Sequence, residues 1–410
     1  MGHYASESTG GAGSIPLRLF GRLRAHGVDA WLLTHVSSRA ELAGLLSEAD
    51  FERVIFVPGL RGLGPVFTLG ERLPVGLRTI AWAITQVERQ IAMVPVARRL
   101  VRELGIDVVH QPISVSPVIP SPLTRLGVPV VMGPMNGGMG LPPAFRDRDS
   151  SLYALVKAMR PAVAAVMNRI MRGRPLADVL LVANDRTRSL LPGSVRERAI
   201  EISDIGVVLD DWPASGGSRP VAGPTRFLCI GRLVGWKGLD LLIDAFALVK
   251  DKIPARLEIV GDGPEGPRLA AQATSLGLGA EVTLTGWLDQ QECARRLRDC
   301  DVHISPSLQE SGGITVLEAM ACARPVIATA WGGHLGTVDE QVGILVDVSS
   351  PEATVRGLAD AMVRLAEDPA LRSRLGAAGR RRVEARYDWD VLVRATLRIY
   401  DEARAVNGRR

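Results

Sequence analysis

Residues 304–329 read ISPSLQESGGITVLEAMACARPVIAT, and this stretch decides the fold. An apolar strand ends near Ser305, and a loop carrying Glu310 follows. Gly312 and Gly313 then lead into a helix whose first turns hold Thr315 and Glu318, and a second strand opens at Pro325. Strand, loop, helix, strand is the repeating unit of a parallel sheet covered by helices. A helix start leaves amide N–H groups unpaired, and two glycines let a ligand come close, so phosphate is the expected ligand. Glu318, one turn inside, can reach back to the same ligand, for instance to a ribose hydroxyl. Alone it would be an ordinary first-turn acid favoured by the helix dipole. A second carboxylate on the loop, Glu310, makes a binding site the better reading.

Working outward, short apolar runs rich in β-branched residues recur at 226–230, 256–260, 281–285, 302–305, 325–328 and 343–346. Helical periodicity fills most intervals, as at 238–252, 268–276 and 290–299. The first half repeats the theme with candidate strands at 30–34, 54–57, 108–110, 128–132 and 179–183. The segment DDWPASGGSRPVAGP (210–224) is rich in Gly, Pro and Ser and reads as a linker. The expected class is α/β, with two doubly wound, Rossmann-like domains whose ligands sit at strand carboxyl ends. The first domain is expected over 1–209 and the second over 225–387, with a final helical segment at 388–410 crossing back.

One strand is missing from this pattern. A glycine-rich turn (Gly10, Gly11, Gly13) precedes a helix at 16–25, but MGHYASEST is a poor strand. Either the domain starts late or an irregular extended segment fills the place.

The chain has 410 residues, 47% of them hydrophobic and 23% charged, which excludes a disordered chain, a collagen-like repeat or a disulfide-stapled module. The net charge is +5. Residues 1–219 carry 25 Lys+Arg against 19 Asp+Glu, a balance of +6, and 220–410 carry 24 against 25, a balance of −1. The basic surplus in the first half suits an acidic substrate, an anionic membrane surface or nucleic acid. Cys229, Cys293, Cys300 and Cys322 form no CxxC and no zinc spacing, as expected of reduced thiols in a cytosolic protein. No signal peptide and no apolar stretch of membrane-spanning length is read. Asp147-Arg148-Asp149, Asp299-Cys300-Asp301 and Asp388-Trp389-Asp390 all match DxD in unrelated contexts, so no metal is assigned.

Further loops carry chemistry. CIGRLVGWKGLD (229–240) leaves a strand with Gly231, Arg232, Lys237 and Gly238; two cations on a glycine-bearing loop suit a diphosphate. IVGDGPEG (259–266) matches GxGxxG at Gly261, Gly263 and Gly266, which keeps a dehydrogenase open. No acidic residue closes a strand about 20 residues on, where a ribose partner is expected, so a tight turn with ligand-adjacent backbone is favoured. The Gly-rich loop at 330–338 is suited to close over the same ligand. In the first half, His110 ends a strand, and Asn136, Gly137 and Gly138 form a loop suited to hold a sugar. Residues 152–174 hold five basic and no acidic side chains, a pattern shared by helices on anionic membranes and by helices with a solvated basic face.

Over residues 225–403 the motifs GRLVGWKG, GDGP, TGWL and the Glu310-to-Glu318 stretch with EAMACARPVIA together resemble the family-four retaining glycosyltransferases of the GT-B fold. The first half is similar more faintly, through VVHQP, GPMNGG and the Gly10–Gly13 turn. The resemblance implies two Rossmann-like domains with parallel sheets facing a central cleft. It implies a nucleotide diphosphate sugar as donor substrate, a saccharide or lipid-linked acceptor, no cofactor and no metal. Arg232 and Lys237 would neutralise the leaving diphosphate. The backbone of Gly312, Gly313, Ile314, Thr315 and Val316 would hold phosphates, Glu318 the ribose, and Glu310 the donor sugar. Trp287 and Leu288 would lie near the base, His110 would contact the sugar, and the turn at Gly11 and Gly13 would approach the phosphates. Glu310, Arg232, Lys237 and His110 form the catalytic set in this reading.

The sequence departs from the family pattern at Ser311-Gly312-Gly313, where Gly-Phe-Gly or similar is usual, and at residues 205–208, where Asn-Gly-Val-Asp is usual. UDP and GDP both remain open, as do polysaccharide and glycolipid products. An epimerase or phosphorylase on the same fold, or a non-catalytic scaffold, remain as alternatives. A cytoplasmic protein with peripheral contact to the inner face of an anionic membrane is expected, and no nucleic-acid partner.

Overall fold

The computed structural model describes residues 1–2, 4–6, 13–60, 75–112, 121–148, 159, 166, 169–214 and 223–407. The chain forms two compact units: Met1–Gly138, Ser150–Ile205 and Leu392–Arg410 make the first, and Met139–Asp149 with Gly206–Val391 make the second. Helices of eight or more residues are numbered below.

The second unit is one parallel sheet in the order β12-β11-β10-β7-β8-β9. Its strands are β7 (Thr225–Ile230), β8 (Ala255–Val260), β9 (Val282–Gly286), β10 (Val302–Ser305), β11 (Val326–Thr329) and β12 (Gly343–Val346). All four residues of β10 and of β11 are buried, as expected of central strands covered on both faces. Helices α3 (Leu239–Ala247), α4 (Gly266–Ser275), α5 (Gln290–Asp299), α6 (Ile314–Ala321), α7 (Pro351–Glu367) and α8 (Pro369–Arg386) fill the crossovers and cover the sheet. Local chemistry sets their starts. The Asp289, Ser350 and Asp368 side chains accept amide N–H bonds at the starts of α5, α7 and α8, and proline opens the last two. Leu242, Ile243, Phe246, Leu257, Ile304 and Met362 sit in the core.

The unit boundaries differ from the expected linker. Residues 206–212 are ordered parts of the second unit. Val207 bridges Asp388, with Val207 N donating to the Tyr387 carbonyl at 2.8 Å, and Trp212 is 2% exposed. Residues 215–222 of the expected linker lie outside the described residues. Residues 139–149 also belong here, because Leu141 and Phe145 join the core and Arg148 makes a two-pronged ion pair with Asp240 at 2.9 and 3.2 Å.

The first unit holds two parallel sheet fragments. One pairs β1 (Leu32–His35) with β2 (Val54–Val57); the other runs β3 (Val109–Gln111), β4 (Val130–Met135), β5 (Val179–Val182), β6 (Ala199–Glu201). The short β6 was not anticipated, since Ala-Ile-Glu carries almost no strand signal. Helices α1 (Ile15–Ala25) and α2 (Val75–Glu103) belong to this unit, as does α9 (Trp389–Asn407) from Leu392 on. Among the described residues no strand precedes α1, and Met1 and Gly2 bond to the edges of the two fragments. Gly2 N donates to the Leu33 carbonyl at 2.9 Å, and the Met1 amine donates to the His110 carbonyl at 2.6 Å.

Candidate active site

In the second unit, strands β7, β8 and β9 step one way across the sheet and β10, β11 and β12 step the other, so the order reverses between β7 and β10. Loops leaving adjacent strands at such a reversal diverge and open a crevice at the carboxyl ends. The β7 loop brings Gly231, Arg232 and Lys237; the β10 loop brings Glu310, Gly312 and Gly313. Across the crevice the Lys237 ammonium meets the Glu310 carboxylate at 2.6 Å. Both are largely covered, with 21% and 14% of their side chains exposed. Burial alone would raise the Glu310 carboxyl; the adjacent Lys237 charge outweighs it and holds the group below the usual carboxylate range.

Gly313 stands at the N-cap of α6 with φ 73°, a left-handed conformation that disfavours side chains. Val316 N and Leu317 N turn back to the Gly313 carbonyl, while the Ile314 and Thr315 amides open the helix. Glu318 lies one turn in. Its charge raises the Cys293 thiol, after the larger effect of burial, and the Cys293 Sγ reaches the Leu288 carbonyl at 3.8 Å. Glu318 therefore neighbours the β9 loop, where Trp287 is 74% exposed.

The GxGxxG glycines do a different job from a dinucleotide cradle. A Cβ on Gly261 would fall 1.9 Å from the Gly231 carbonyl oxygen, and one on Gly263 would fall 2.5 Å from that of Leu233. These glycines let the β8 loop lie directly on the β7 loop. Gly231 N donates to Val260 at 3.0 Å and Leu233 N to Asp262 at 2.9 Å. The contact fixes the loop that carries Arg232, whose guanidinium lies 5.7 Å from the Trp236 ring centroid.

Residues 215–382 match the family model described as glycosyl transferases group 1. Over that stretch the chain is similar to glycosyl transferases of group 1. It is 33% identical over 257 residues to a D-inositol 3-phosphate glycosyltransferase of Salinispora arenicola, covering 56% of each chain. It is 35% identical over 227 residues to a phosphatidyl-myo-inositol mannosyltransferase of Mycobacterium tuberculosis, covering 54% of this chain and 58% of the relative. The chain thus spans little more than half the length of these curated relatives. Sucrose-phosphate synthase from Thermosynechococcus elongatus shares the fold with a TM-score of 0.68 at 20% identity, over 98% of this chain and 96% of that one. Anabaena HepE in complex with UDP gives 0.64 at 18% identity, over 96% and 97%. These neighbours establish a GT-B fold.

Beneath this site lies a buried polar layer that sequence reading missed. The His334 Nε2 pairs with the Ser305 hydroxyl at 3.0 Å, and its Nδ1 lies 3.1 Å from the Thr329 hydroxyl and 3.2 Å from the Thr329 carbonyl. The Thr329 hydroxyl in turn donates to the Ser307 carbonyl. Burial pushes the His334 imidazole down to about 4, against the pull of Glu310, so the ring is neutral. His334 also faces Gly313: a Cβ there would fall 3.3 Å from its Cδ2. The Gly332–Gly333 backbone lies against the Glu310 loop, with Gly333 N donating to the Glu310 carbonyl at 2.9 Å. The Gly-rich loop thus backs the site, and its Trp331 indole donates to the Gly140 carbonyl at 2.7 Å. A histidine following two glycines was the signal that could have found this layer. Among the described residues no cluster of His, Cys, Asp or Glu could hold a metal ion.

The first-unit candidates do not gather in the same way. His110 is the middle residue of β3, not its end, and is 9% exposed. Its Nε2 donates to the Gly133 carbonyl and its Nδ1 accepts from the Tyr400 hydroxyl, each at 2.6 Å. Burial lowers it to about 3, so it is a neutral packing residue whose nitrogens both have protein partners. Asn136 is 2% exposed and donates to both carboxylate oxygens of Asp204 at 3.0 Å, and it accepts from Arg186 at 3.1 Å. Its side chain ties β4 to the 204 turn instead of presenting itself to a sugar. Gly137 N donates to the Thr187 hydroxyl at 3.1 Å, and Gly138 packs on Leu190. Gly13 accepts from Ser6 N at 3.0 Å; Gly11 lies outside the described residues.

Proposed function

We propose that this protein is a metal-independent, retaining glycosyltransferase that moves a hexose-type sugar from a UDP or GDP sugar to an acceptor hydroxyl in polysaccharide or glycolipid assembly. One observation carries the reading: the Lys237–Glu310 pair spans the β7–β10 reversal beside the Arg232 loop and the open start of α6.

In the resting site Glu310 holds the ammonium in place. An incoming diphosphate competes for the three N–H donors of Lys237. Glu310, freed from part of that contact, accepts from hydroxyls of the donor sugar. As the bond from the anomeric carbon to the leaving phosphate breaks, negative charge grows on the phosphate oxygen. Lys237, Arg232 and the first amides of α6 meet that charge, a preorganised electrostatic role that a divalent ion fills elsewhere. Glu318 takes a ribose hydroxyl, and the Trp287–Leu288 segment lies beside the base. No resident cofactor is needed, because the donor supplies the leaving group. His110 and Asn136 are not carried into this set, since their polar atoms hold the first unit together.

Both donors stay within the proposal. HepE is described in complex with UDP-glucose, and a Corynebacterium glutamicum relative is named as GDP-mannose-dependent. A thermal-shift screen with UDP and GDP identifies the base. Proton NMR of the first product, with the anomeric configuration of the donor preserved, tests retention. Release of free nucleotide only when acceptor is present separates transfer from epimerisation.

Peripheral contact with an anionic bilayer is part of the same proposal. Met159, Val166 and Ile170, in the basic 152–174 segment, are 56%, 59% and 70% exposed, apolar surface beside positive charge. Among the described residues no helix is long and apolar enough to cross a membrane. Failure to sediment with phosphatidylglycerol vesicles at low salt would remove the membrane from the proposal.

A further inference from the structure

The β7 loop carries two cations, Arg232 and Lys237, and the fold holds them by different means. The Lys237 ammonium is paired with the Glu310 carboxylate at 2.6 Å. Arg232 forms no ion pair among the described residues. Its guanidinium lies over the ring of Trp236 instead, with Cζ 5.7 Å from the centroid.

The difference matters on a loop that meets phosphate. A carboxylate cancels the charge of the cation it holds and occupies some of its N–H donors. An aromatic face attracts a cation through its quadrupole, brings no negative charge and takes none of the five guanidinium donors. Arg232 is therefore held while its whole charge and its fork of donors stay available to a ligand.

Trp236 is itself fixed at the backbone. It sits in the single turn Gly235–Lys237. Its carbonyl accepts from Leu308 N at 2.8 Å, and Leu308 is fully buried on the β10 side. The following residue is pinned twice, because Lys237 N donates to the Val234 carbonyl at 2.9 Å and its ammonium meets Glu310. The ring is not there to fill the core. Trp236 is 39% exposed and does not join the apolar cluster around Leu242 and Phe246. A large aromatic side chain thus projects from a rigid backbone on the same loop as the cation that lies over it.

We propose that Trp236 is a positioning residue: its ring restricts the Arg232 guanidinium so that the fork of donors is pre-set for the diphosphate of the donor. This inference rests on the reading of Arg232 as a diphosphate ligand and adds the residue through which it is held. An exposed arginine samples many rotamers and loses that freedom when it grips a phosphate. A ring that restricts it beforehand reduces the loss, which is how preorganisation raises affinity. The attraction at an exposed site is small, so the effect expected on nucleotide affinity is about two- to five-fold.

The test measures UDP and GDP binding by calorimetry in the full chain and in four variants: Trp236→Leu, Trp236→Phe, Arg232→Gln and the double variant Trp236→Leu with Arg232→Gln. Trp236→Leu is expected to weaken binding of the recognised nucleotide about two- to five-fold, and Trp236→Phe, which keeps an aromatic face, to restore most of the loss. In the Arg232→Gln background Trp236→Leu is expected to change nothing further, because the ring acts through the guanidinium. The melting midpoint of Trp236→Leu is expected to stay close to that of the unmodified chain, since the ring is exposed. A loss of equal size in both backgrounds means that the ring touches the nucleotide itself, and the inference falls. Unchanged affinity in Trp236→Leu overturns it as well.

Nuclear magnetic resonance of the arginine Nε–H groups gives a reading that needs no nucleotide. The Arg232 signal is the one that Arg232→Gln removes, and it should shift in Trp236→Leu through loss of the ring current. A signal indifferent to that substitution overturns the inference. An unmodified chain that binds neither UDP nor GDP overturns the glycosyl-transfer reading and this inference together. Normal nucleotide binding that ignores Trp236 overturns this inference alone.

Discussion

The Lys237 ammonium and the Glu310 carboxylate, 73 residues apart in sequence, meet at 2.6 Å where the second unit's sheet reverses its strand order. Each comes from a loop leaving a central strand, and neither loop alone makes a site. The pair holds a mobile cation in one place before any phosphate arrives, so its orientation is settled before the charge to be neutralised develops.

Lys237→Ala should lower kcat/KM about 10²- to 10³-fold, in line with loss of one preorganised charge donor. It should also weaken UDP or GDP binding in calorimetry. Glu310→Gln keeps the shape and frees the ammonium; nucleotide binding should hold while turnover falls. Unchanged turnover in both variants would remove the pair from the reaction.

Gly313→Ala forces a side chain into a left-handed residue, at roughly 1–2 kcal/mol, and pushes against His334. The expected result is a lower melting midpoint and a larger loss of nucleotide-induced stabilisation. Thermal melts with and without nucleotide check both.

His334→Phe keeps ring volume but drops the bonds to Ser305 and Thr329. Leaving their buried hydroxyls without the ring costs about 1–3 kcal/mol. Because the ring backs the Glu310–Gly313 loop, the donor KM should rise more than kcat falls. A uniform loss of folded fraction with unchanged KM would make the residue structural only.

Three buried histidines set an acid limit. His303 and His110 are lowered to about 3 and His334 to about 4, in each case first by burial. The unfolded chain binds protons near 6.5 while the folded one resists them. Stability is therefore full above 6.5 and declines as pH falls toward 3. The His303 ring lies by the Leu228 backbone without a well-formed hydrogen bond. His303→Leu should be neutral or stabilising at pH 7 and should flatten the slope between pH 6.5 and 4 in urea melts.

In the first unit, Tyr400→Phe removes one bond to His110 and should cost about 0.5–1.5 kcal/mol while leaving nucleotide binding intact. His110→Ala that abolishes transfer without lowering the melting midpoint would restore a catalytic role.

The second unit was legible because its strands are continuous apolar runs, and residues 302–305 and 343–346 are strands at the expected bounds. Its glycine loops fall between them at fixed places. In the first unit the strand signal is thinner, and β6 and the 1–2 segment carry none of it.

The sequence by itself determined the α/β class, the parallel strands and which loops bear charge, since these follow from local periodicity and short-range chemistry. Tertiary structure alone decided that Lys237 faces Glu310, that His334 backs Gly313, and that His110 and Asn136 spend their polar atoms on neighbours. Those outcomes depend on which strands become neighbours and how closely two backbones approach, and a partner dozens or hundreds of residues away leaves no mark on the local pattern.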